Sequence, residues 1–364
     1  MDFIPQIEPW IDHEELEQLA RVVDSTYVTE HKLTEEFEDL IKKLTGSTYA
    51  VSITNGTAAL YCCLKALGIG EGDEVIVPNL TFIATSNAVI MAGATPVFCE
   101  VEPSTLCINP ECVWHLVTPR TKAIMPVHLY GQACKIDDIV DIANKFDLRV
   151  IEDAAQGVGV KFNDQHVGTF GEMGILSFYG NKTLTCGEGG IVLTDNKELR
   201  DEVYRLKNHG RLTKGVFKHD SIGFNFSFTE MQAAIGISQL NKLERIINKK
   251  NQIREKYIKD LSPISPTFRP IHPLPNCSPV WWFTSFLTER KKDLQEYLKQ
   301  KNIQTRDFFT PLHQQPCYSY AGTPFSISEK LYQEGISLPS AYNLNLKQQD
   351  YIISEILTFY DSIS

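Results

Sequence analysis

The sequence predicts an α/β fold with a mainly parallel sheet, followed by a smaller C-terminal α+β domain. Short apolar runs alternate with longer amphipathic segments through the first two-thirds of the chain. These runs are apolar throughout, which is typical of parallel strands that helices cover on both faces. A proline-rich stretch at 262–279 then separates this region from the C-terminal part. The pattern predicts two units with different architectures.

The large sheet is predicted to contain seven strands. Each is a short apolar run bounded by turn-forming or helical sequence. The expected strands are 49–54, 74–78, 95–100, 123–129, 149–153, 174–179 and 190–195. Amphipathic segments between several of them predict the crossover helices that join parallel strands.

Two further helices are predicted beside this sheet. Thr34 is expected to cap a helix that Gly46 ends, because threonine is a common N-cap and glycine a common C-terminal residue. From Thr229 the pattern predicts one long helix that continues to Leu261. This helix links the two domains, which we expect to span 1–245 and 246–364.

The C-terminal domain is predicted from one strong strand and two helical patterns. The strand is VWWFTSFL at 280–287, and the helices are expected at 290–300 and 347–361. Within the strand, Trp281, Trp282 and Phe283 are interpreted as core residues of the small domain rather than as a platform for a bound ring.

Composition excludes several classes of protein. The 364 residues carry a net charge of −10, which disfavours general binding of nucleic acid. No apolar run approaches the roughly 20 residues that span a bilayer, and no secretory signal is visible. Nine scattered cysteines, without a metal-binding spacing, predict reduced thiols, a cytoplasmic location and no bound metal.

Three polar groups follow the ends of predicted strands, where ligands of parallel sheets bind. The turn Gly56-Thr57-Ala58 after the first strand opens a helix, and a helix N-terminus attracts phosphate. Asp153 ends the fifth strand, and Lys182 follows the sixth. Each alone has an ordinary explanation, as a simple turn, a helix cap or a solvated lysine.

Together, these three groups meet the requirements of pyridoxal phosphate. The lysine holds the cofactor's aldehyde, and the carboxylate keeps the pyridine nitrogen protonated. The helix N-terminus and Ser177 would hold the phosphate.

Several long motifs resemble the DegT/DnrJ/EryC1/StrS family of sugar aminotransferases. They include NGTAAL, PNLTFIATSNAVIMAGATPVF, PVHLYGQ, VIEDAAQGVG, GILSFYGNKTLTCGEGG, GFNFSFTEMQAAIGISQL and RDFFTPLHQQPCY, in this order. The resemblance implies the fold type I of pyridoxal-phosphate enzymes and a homodimer with shared active sites.

The resemblance also implies roles for individual residues. Lys182 would bind the cofactor covalently, and Asp153 would pair with its ring nitrogen. The other implied cofactor contacts are Gly56, Thr57, Ala58 and Ser177 at the phosphate, Gln156 at the ring or its 3-hydroxyl, Phe82 on the ring face, and Asn225 at the neighbouring subunit's phosphate. The implied substrate contacts are Glu188, Arg306, His313 and Tyr318.

The function that the resemblance implies is transfer of an amino group from glutamate to C-4 of a nucleotide-linked 4-keto-6-deoxyhexose. The GNKT, GEGG and FFTPLHQQPCY segments are most similar to the perosamine and viosamine synthase branch. Amination at C-3, a pyridoxal-phosphate dehydratase and a non-catalytic regulator on the same fold stay open as alternatives. Lys182 disfavours the sugar 3-dehydratase branch, which resembles this family but carries histidine at that position.

Overall fold

Strands and helices alternate along most of the chain. The structure is a computed structural model that describes residues 2–362 apart from 214, 319–321 and 323. Its strands are β1 (Tyr49–Ile53), β2 (Glu74–Pro78), β3 (Thr95–Cys99), β4 (Thr121–Ile124), β5 (Arg149–Asp153), β6 (Lys161–Phe162), β7 (Gln165–His166), β8 (Met173–Ser177), β9 (Gly190–Thr194), β10 (Arg269–Pro270), β11 (Cys277–Ser278), β12 (Thr284–Leu287), β13 (Arg306–Asp307) and β14 (Gly335–Leu338).

The α-helices pack around and between these strands. They are α1 (His13–Ser25), α2 (Lys32–Thr45), α3 (Gly56–Ala66), α4 (Ala84–Met91), α5 (Pro110–Leu116), α6 (Ile136–Phe146), α7 (Lys197–Lys207), α8 (Glu230–Asn241), α9 (Leu243–Asp260), α10 (Lys291–Gln300), α11 (Ser326–Glu334) and α12 (Leu346–Asp361). None of the helices in the described residues is both long enough and apolar enough to cross a membrane.

The large sheet has seven strands in the order β1-β9-β8-β5-β4-β2-β3. Only β9 runs against the others, because it pairs antiparallel with both β1 and β8. The prediction of a mainly parallel α/β sheet is therefore confirmed. The expected bounds differ most in the fourth strand, which ends at Ile124 rather than at 129, because Pro126 lacks the N–H that would continue the ladder.

The start of α2 differs from the prediction. The helix begins at Lys32, so Thr34 lies inside its first turn and is not the N-cap. Instead, the carboxylate of Glu230 accepts hydrogen bonds from the backbone N–H groups of His31, Leu33 and Thr34, and from the Thr34 hydroxyl. A carboxylate from α8 thus caps α2 at the end where a negative charge is stabilising. Gly46 ends the helix as predicted.

The predicted long helix after Thr229 is two helices. The chain leaves helical geometry at Lys242, between α8 and α9. The Lys242 side chain is fully buried and pairs with the Glu15 carboxylate of α1 at 2.7 Å. This ion pair joins α1 to the junction, a long-range contact that helical periodicity does not reveal.

The second sheet is antiparallel, with the order β10-β12-β14-β13. The predicted strand 280–287 is shorter than expected, because only Thr284–Leu287 joins the sheet. Both predicted helices of this region are present as α10 and α12. The third helix of the region, α11, and the strand β14 that follows it were not predicted.

The N-terminal residues pack against this second sheet. Ile4 is buried and pairs with Ile303, and the Gln6 amide nitrogen Nε2 donates to the Leu338 carbonyl. These contacts place the first residues of the chain beside the C-terminal unit, which departs from the expected grouping of 1–245. The boundary between 245 and 246 stays a prediction.

Candidate active site

The ends of β1 and β8 meet at Gly190, the first residue of β9. Gly190 pairs with Ile53 on one side and with Ser177 on the other. A side chain here would place its Cβ only 2.6 Å from the backbone carbonyl carbon of Asn55. Glycine therefore allows the turn before α3 to lie directly beside the start of β9, between the ends of β1 and β8.

The N-terminus of α3 offers donors at this edge. Asn55 caps the helix, and its Oδ1 accepts a hydrogen bond from the Ala58 amide at 2.9 Å. The Ala58 amide is thus already bonded within the chain, which differs from the expected phosphate contact. The amides of Gly56 and Thr57 lie in the first turn, where a helix has no internal acceptor for them. They and the positive end of the helix dipole suit a phosphate.

Asp153 lies at the end of β5 with a buried carboxyl group. Its Oδ2 accepts from the Thr85 hydroxyl at 2.8 Å, and its Oδ1 accepts from the Ala155 amide at 3.1 Å. Burial raises the pKa of Asp153, while these two donors and the nearby Lys182 act in the opposite direction. A cationic partner in the cavity would favour the ionised form of the carboxyl.

Gln156 is buried, with a defined orientation of its amide. Its Oε1 accepts a hydrogen bond from the Tyr130 backbone N–H at 2.7 Å. The oxygen is therefore used within the chain, and the Nε2 group remains available as a donor to a ligand in the cavity. This arrangement suits an anionic or phenolic oxygen, such as the cofactor's 3-hydroxyl.

Lys182 follows β8 and points toward the same space. Its Nζ lies 4.0 Å from the centroid of the Trp282 ring. Burial lowers the pKa of Lys182 to about 8, with Asp153 raising it and Arg306 lowering it further. At neutral pH such an amine takes up and releases protons more readily than a solvated lysine.

A cavity of about 810 Å³ contains these groups. Its volume is within the range of small-molecule and cofactor sites. The predicted site residues that line it are Gly56, Thr57, Ala58, Phe82, Asp153, Gln156, Ser177, Lys182, Glu188 and Arg306. The structure therefore brings ten of the predicted residues into one space.

Two of these residues lie where a substrate would approach. Glu188 is exposed at the rim, whereas the Arg306 guanidinium lies 5.0 Å from the Phe283 ring. Within the described part of the chain, no carboxylate forms an ion pair with Arg306. Its charge is therefore available for an anionic group in the cavity, such as a phosphate or carboxylate.

His313 and Tyr318 do not line the cavity. The His313 ring bonds to Asn79 and to the Glu329 carboxylate, which lies 3.0 Å from Nε2. The Tyr318 hydroxyl bonds to Ser86 of α4. These contacts explain His313 as a link to α11 and to the residue after β2, and Tyr318 as a link to α4. Their predicted contact with substrate stays a prediction.

Asn225 also lies outside the cavity of its own chain. It is exposed, and its side-chain oxygen accepts only from the Ser227 amide, at 3.4 Å, within the described residues. Phe226, the next residue, does line the cavity. The position fits the expected contact with a neighbouring subunit, but that contact stays a prediction.

Among the residues that the sequence did not predict for the site, Thr85 and Trp282 contact the central polar groups directly. Thr85 holds the Asp153 carboxylate, and Trp282 forms the wall beside Lys182. The interpretation of Trp282 as small-domain core is therefore incomplete, because the ring is buried but faces the cavity. Trp282 lies just before β12 in the apolar run VWWF, and such a run predicts a buried strand. The run gives no indication that the ring also lines the cavity.

The residues present fit pyridoxal phosphate. The α3 N-terminus and Ser177 suit its phosphate, Asp153 its ring nitrogen, the free amide group of Gln156 its phenolic oxygen, and Lys182 its aldehyde. Asn181 Oδ1 and Thr183 Oγ1 beside the lysine are buried and have no protein partner in the described residues. The fold and these groups define a pyridoxal-phosphate-dependent enzyme.

Comparison with known proteins agrees with this class. Residues 9–357 match the DegT/DnrJ/EryC1/StrS aminotransferase family, and the chain belongs to that family. It is similar to the GDP-perosamine synthase of Escherichia coli O157:H7, with 38% identity over 364 residues that cover 99% of each chain.

Solved structures show the same fold. The chain matches S. venezuelae DesV, solved in complex with a ketimine intermediate, with a TM-score of 0.93, 31% identity and 99% coverage of both chains. It also matches NtdA from Bacillus subtilis with bound cofactor PMP, with a TM-score of 0.89 and 29% identity over 97% of this chain and 85% of that one. The expected fold type I, the pyridoxal phosphate cofactor and the transaminase activity are confirmed. The lyase and the non-catalytic regulator are therefore set aside.

Proposed function

We propose that the enzyme transfers an amino group from glutamate to C-4 of a nucleotide-linked 4-keto-6-deoxyhexose. The observation that carries this proposal is the 38% identity, over nearly the full length of both chains, to a GDP-perosamine synthase. The cavity supports it, because it combines the lysine and carboxylate of transamination with Arg306, which forms no ion pair within the described residues. A ketosugar substrate follows from this similarity, and the nucleotide is expected to be GDP.

Different residues of the chain would bind the cofactor, keep its ring protonated and transfer the proton. Bound pyridoxal phosphate supplies a protonated ring that withdraws electrons from the carbon that loses its proton. Asp153 keeps the ring nitrogen protonated, and the Thr85 and Ala155 donors keep Asp153 in place. The α3 N-terminus and Ser177 would hold the phosphate, and Gln156 would contact the ring or its 3-hydroxyl.

Lys182 moves the proton. Its amine, with a pKa lowered to about 8, takes a proton from the α-carbon of the amino donor and delivers it on the cofactor's side. In the second half of the reaction the same amine acts in the reverse direction at C-4 of the sugar. Arg306, which lines the cavity, would bind a phosphate of the nucleotide.

The test is incubation with glutamate and 4-keto-6-deoxy sugars carrying GDP, UDP or dTDP, followed by NMR of the product. A 4-amino sugar together with 2-oxoglutarate supports the proposal, with the GDP sugar expected to react fastest. A 3-amino product would move the reaction to the alternative position. Absence of amine transfer to any of these sugars would overturn the substrate class.

We also propose that two copies of this chain share their active sites. The support is the exposed Asn225 beside Phe226, together with the strongly exposed Phe217 and Ile222 on the preceding segment, which are 88% and 86% exposed. Large exposed apolar side chains on one segment are typical of a protein interface.

A cytoplasmic location is likewise proposed, as expected for a nucleotide-sugar enzyme.

Mixed dimers test the sharing. Lys182→Ala and Asn225→Ala subunits are each expected to be poorly active alone. If Asn225 acts in the partner's site, each mixed dimer contains one site with both side chains intact, so co-refolded or exchanged mixtures regain activity. If the mixture stays as inactive as the separate variants, Asn225 does not act across the interface.

A further inference from the structure

The indole of Trp282 contacts the lysine loop at two points. Its ring face lies under the Lys182 ammonium, with 4.0 Å between Nζ and the ring centroid. Its Nε1–H donates to the backbone carbonyl of Asn181, the residue just before the lysine, at 2.6 Å. The same side chain therefore contacts both the reactive amine and the backbone that carries it.

The backbone of Trp282 is held from two further directions. Its N–H donates to the Tyr130 carbonyl at 3.1 Å, and its carbonyl accepts from the buried Lys250 Nζ at 3.0 Å. The ring stacks on Phe283 with 4.0 Å between centroids. The Tyr130 backbone N–H also donates to Gln156, which lines the cavity. Tyr130 therefore connects the backbone of Trp282 to the wall of the cavity. The ring is a fixed surface rather than a mobile one.

Such a surface would be useful in transamination, because the lysine acts as a base that must stay near the reacting carbon. When the amino donor is bound, Lys182 would have to stay within reach, first as a free amine and then, once it has taken the donor's α-proton, as an ammonium. Burial and the Arg306 charge disfavour the ammonium form, whereas Asp153 of β5 favours it. Once Asp153 is engaged by the ring nitrogen, less of its charge is available to the lysine. The face of an aromatic ring is a remaining attraction for the ammonium.

We propose that Trp282 is a positioning residue for Lys182: its ring face holds the protonated Lys182 side chain beside the cofactor site, and its Nε1–H fixes the backbone of the loop that carries the lysine. The proposal rests on Lys182 being the cofactor lysine. It is independent of which sugar the enzyme aminates. It extends the site to a residue from the segment that enters the second sheet.

The test compares Trp282→Leu with Trp282→Phe in the full chain loaded with pyridoxamine phosphate, which leaves Lys182 free. The pKa of Lys182 is measured by competitive acetylation across pH, with mass spectrometry of the Lys182 peptide. Because the ring stabilises the ammonium, Trp282→Leu should lower this pKa by about 0.5–1.5 units. Trp282→Phe keeps a ring face and should restore most of the value, while still losing the bond to Asn181.

Trp281→Leu is the matched control. The Trp281 ring lies 3.9 Å from the Arg254 guanidinium and is absent from the cavity lining, so its loss should leave the pKa of Lys182 unchanged. Trp282→Met, which retains a large apolar side chain, replaces the leucine variant if that variant does not fold. Equal pKa values in wild type and in the leucine or methionine variant would overturn the proposal, as would equal shifts in the phenylalanine and leucine variants. None of these measurements uses a sugar, so they are separate from the test of the substrate.

Discussion

The hydrogen bond from Thr85 to Asp153 gives a quantitative prediction for the acid side of the pH profile. Thr85→Val removes the 2.8 Å donor to Oδ2 but keeps the branched shape of the side chain. A hydrogen bond to a charged group contributes about 1.5–3 kcal/mol, and about 1.36 kcal/mol corresponds to one pKa unit. The pKa of Asp153 should therefore rise by about one to two units in the variant.

The direction of the effect follows from the charge. Because Thr85 stabilises the ionised carboxylate, its loss makes Asp153 take up a proton at a higher pH. The ring nitrogen of the cofactor then loses its anionic partner earlier as the pH falls. The acid limb of kcat/KM should move to higher pH by about one unit or more, and the affinity for pyridoxal phosphate should fall roughly tenfold.

The assay is steady-state transamination from pH 5 to 9, with cofactor affinity from an absorbance titration. Ser86→Ala is the matched control, because Ser86 is the next residue, is equally buried and bonds to Tyr318 rather than to Asp153. The control should leave the acid limb in place. An unchanged limb and an unchanged cofactor affinity in Thr85→Val, with the fold intact by circular dichroism, would refute the reasoning.

Three further outcomes are expected. Lys182→Ala should abolish transamination and the borohydride-fixed cofactor adduct, and an adduct that forms on another residue in the variant to the same extent as in the wild type would contradict the assignment of Lys182. Glu230→Ala should lower the free energy of unfolding by about 2–4 kcal/mol, because it removes the carboxylate that caps α2, whereas the exposed Glu244→Ala should have little effect; chemical unfolding measures both. Burial raises the pKa of Glu230, but the amide and hydroxyl donors outweigh burial and hold this pKa below its usual value. The stabilisation that the ionised carboxylate provides should therefore be lost as the pH falls toward 4 and below. Arg306→Gln should raise the KM for the nucleotide sugar about tenfold or more with a smaller change in kcat, and an unchanged KM would remove Arg306 from the substrate site.

The large sheet could be predicted because its strands are buried on both faces. Their apolar runs are continuous, so the seven strands are visible without knowledge of their partners. The same logic located Asp153 and Lys182, because polar residues directly after such runs fall at the ligand-binding edge. The order of the strands, with β9 reversed, brings these ends together in a way that the separate runs do not show.

The remaining features depend on partners far away in the sequence. Thr85 lies 68 positions from Asp153, and Trp282 lies 101 positions from Asn181. Nothing in the local pattern around either residue indicates the contact. The RDFFTPLHQQPCY motif indicated the segment that carries His313 but not the direction of its side chain. In the structure the ring is oriented by its contact with the Glu329 carboxylate. The cap that Glu230 provides to α2 was missed for the same reason.

The N-terminal residues have a consequence for the order of assembly. The Gln6 backbone N–H donates a hydrogen bond to Gln304 Oε1 across 298 positions, and Ile4 pairs with Ile303. Gln6 is therefore synthesised 298 positions before Gln304, and the contacts can form only after every strand of the large sheet has been synthesised. Slow exchange of the Ile4 and Gln6 amide protons would mark molecules in which these long-range contacts have formed.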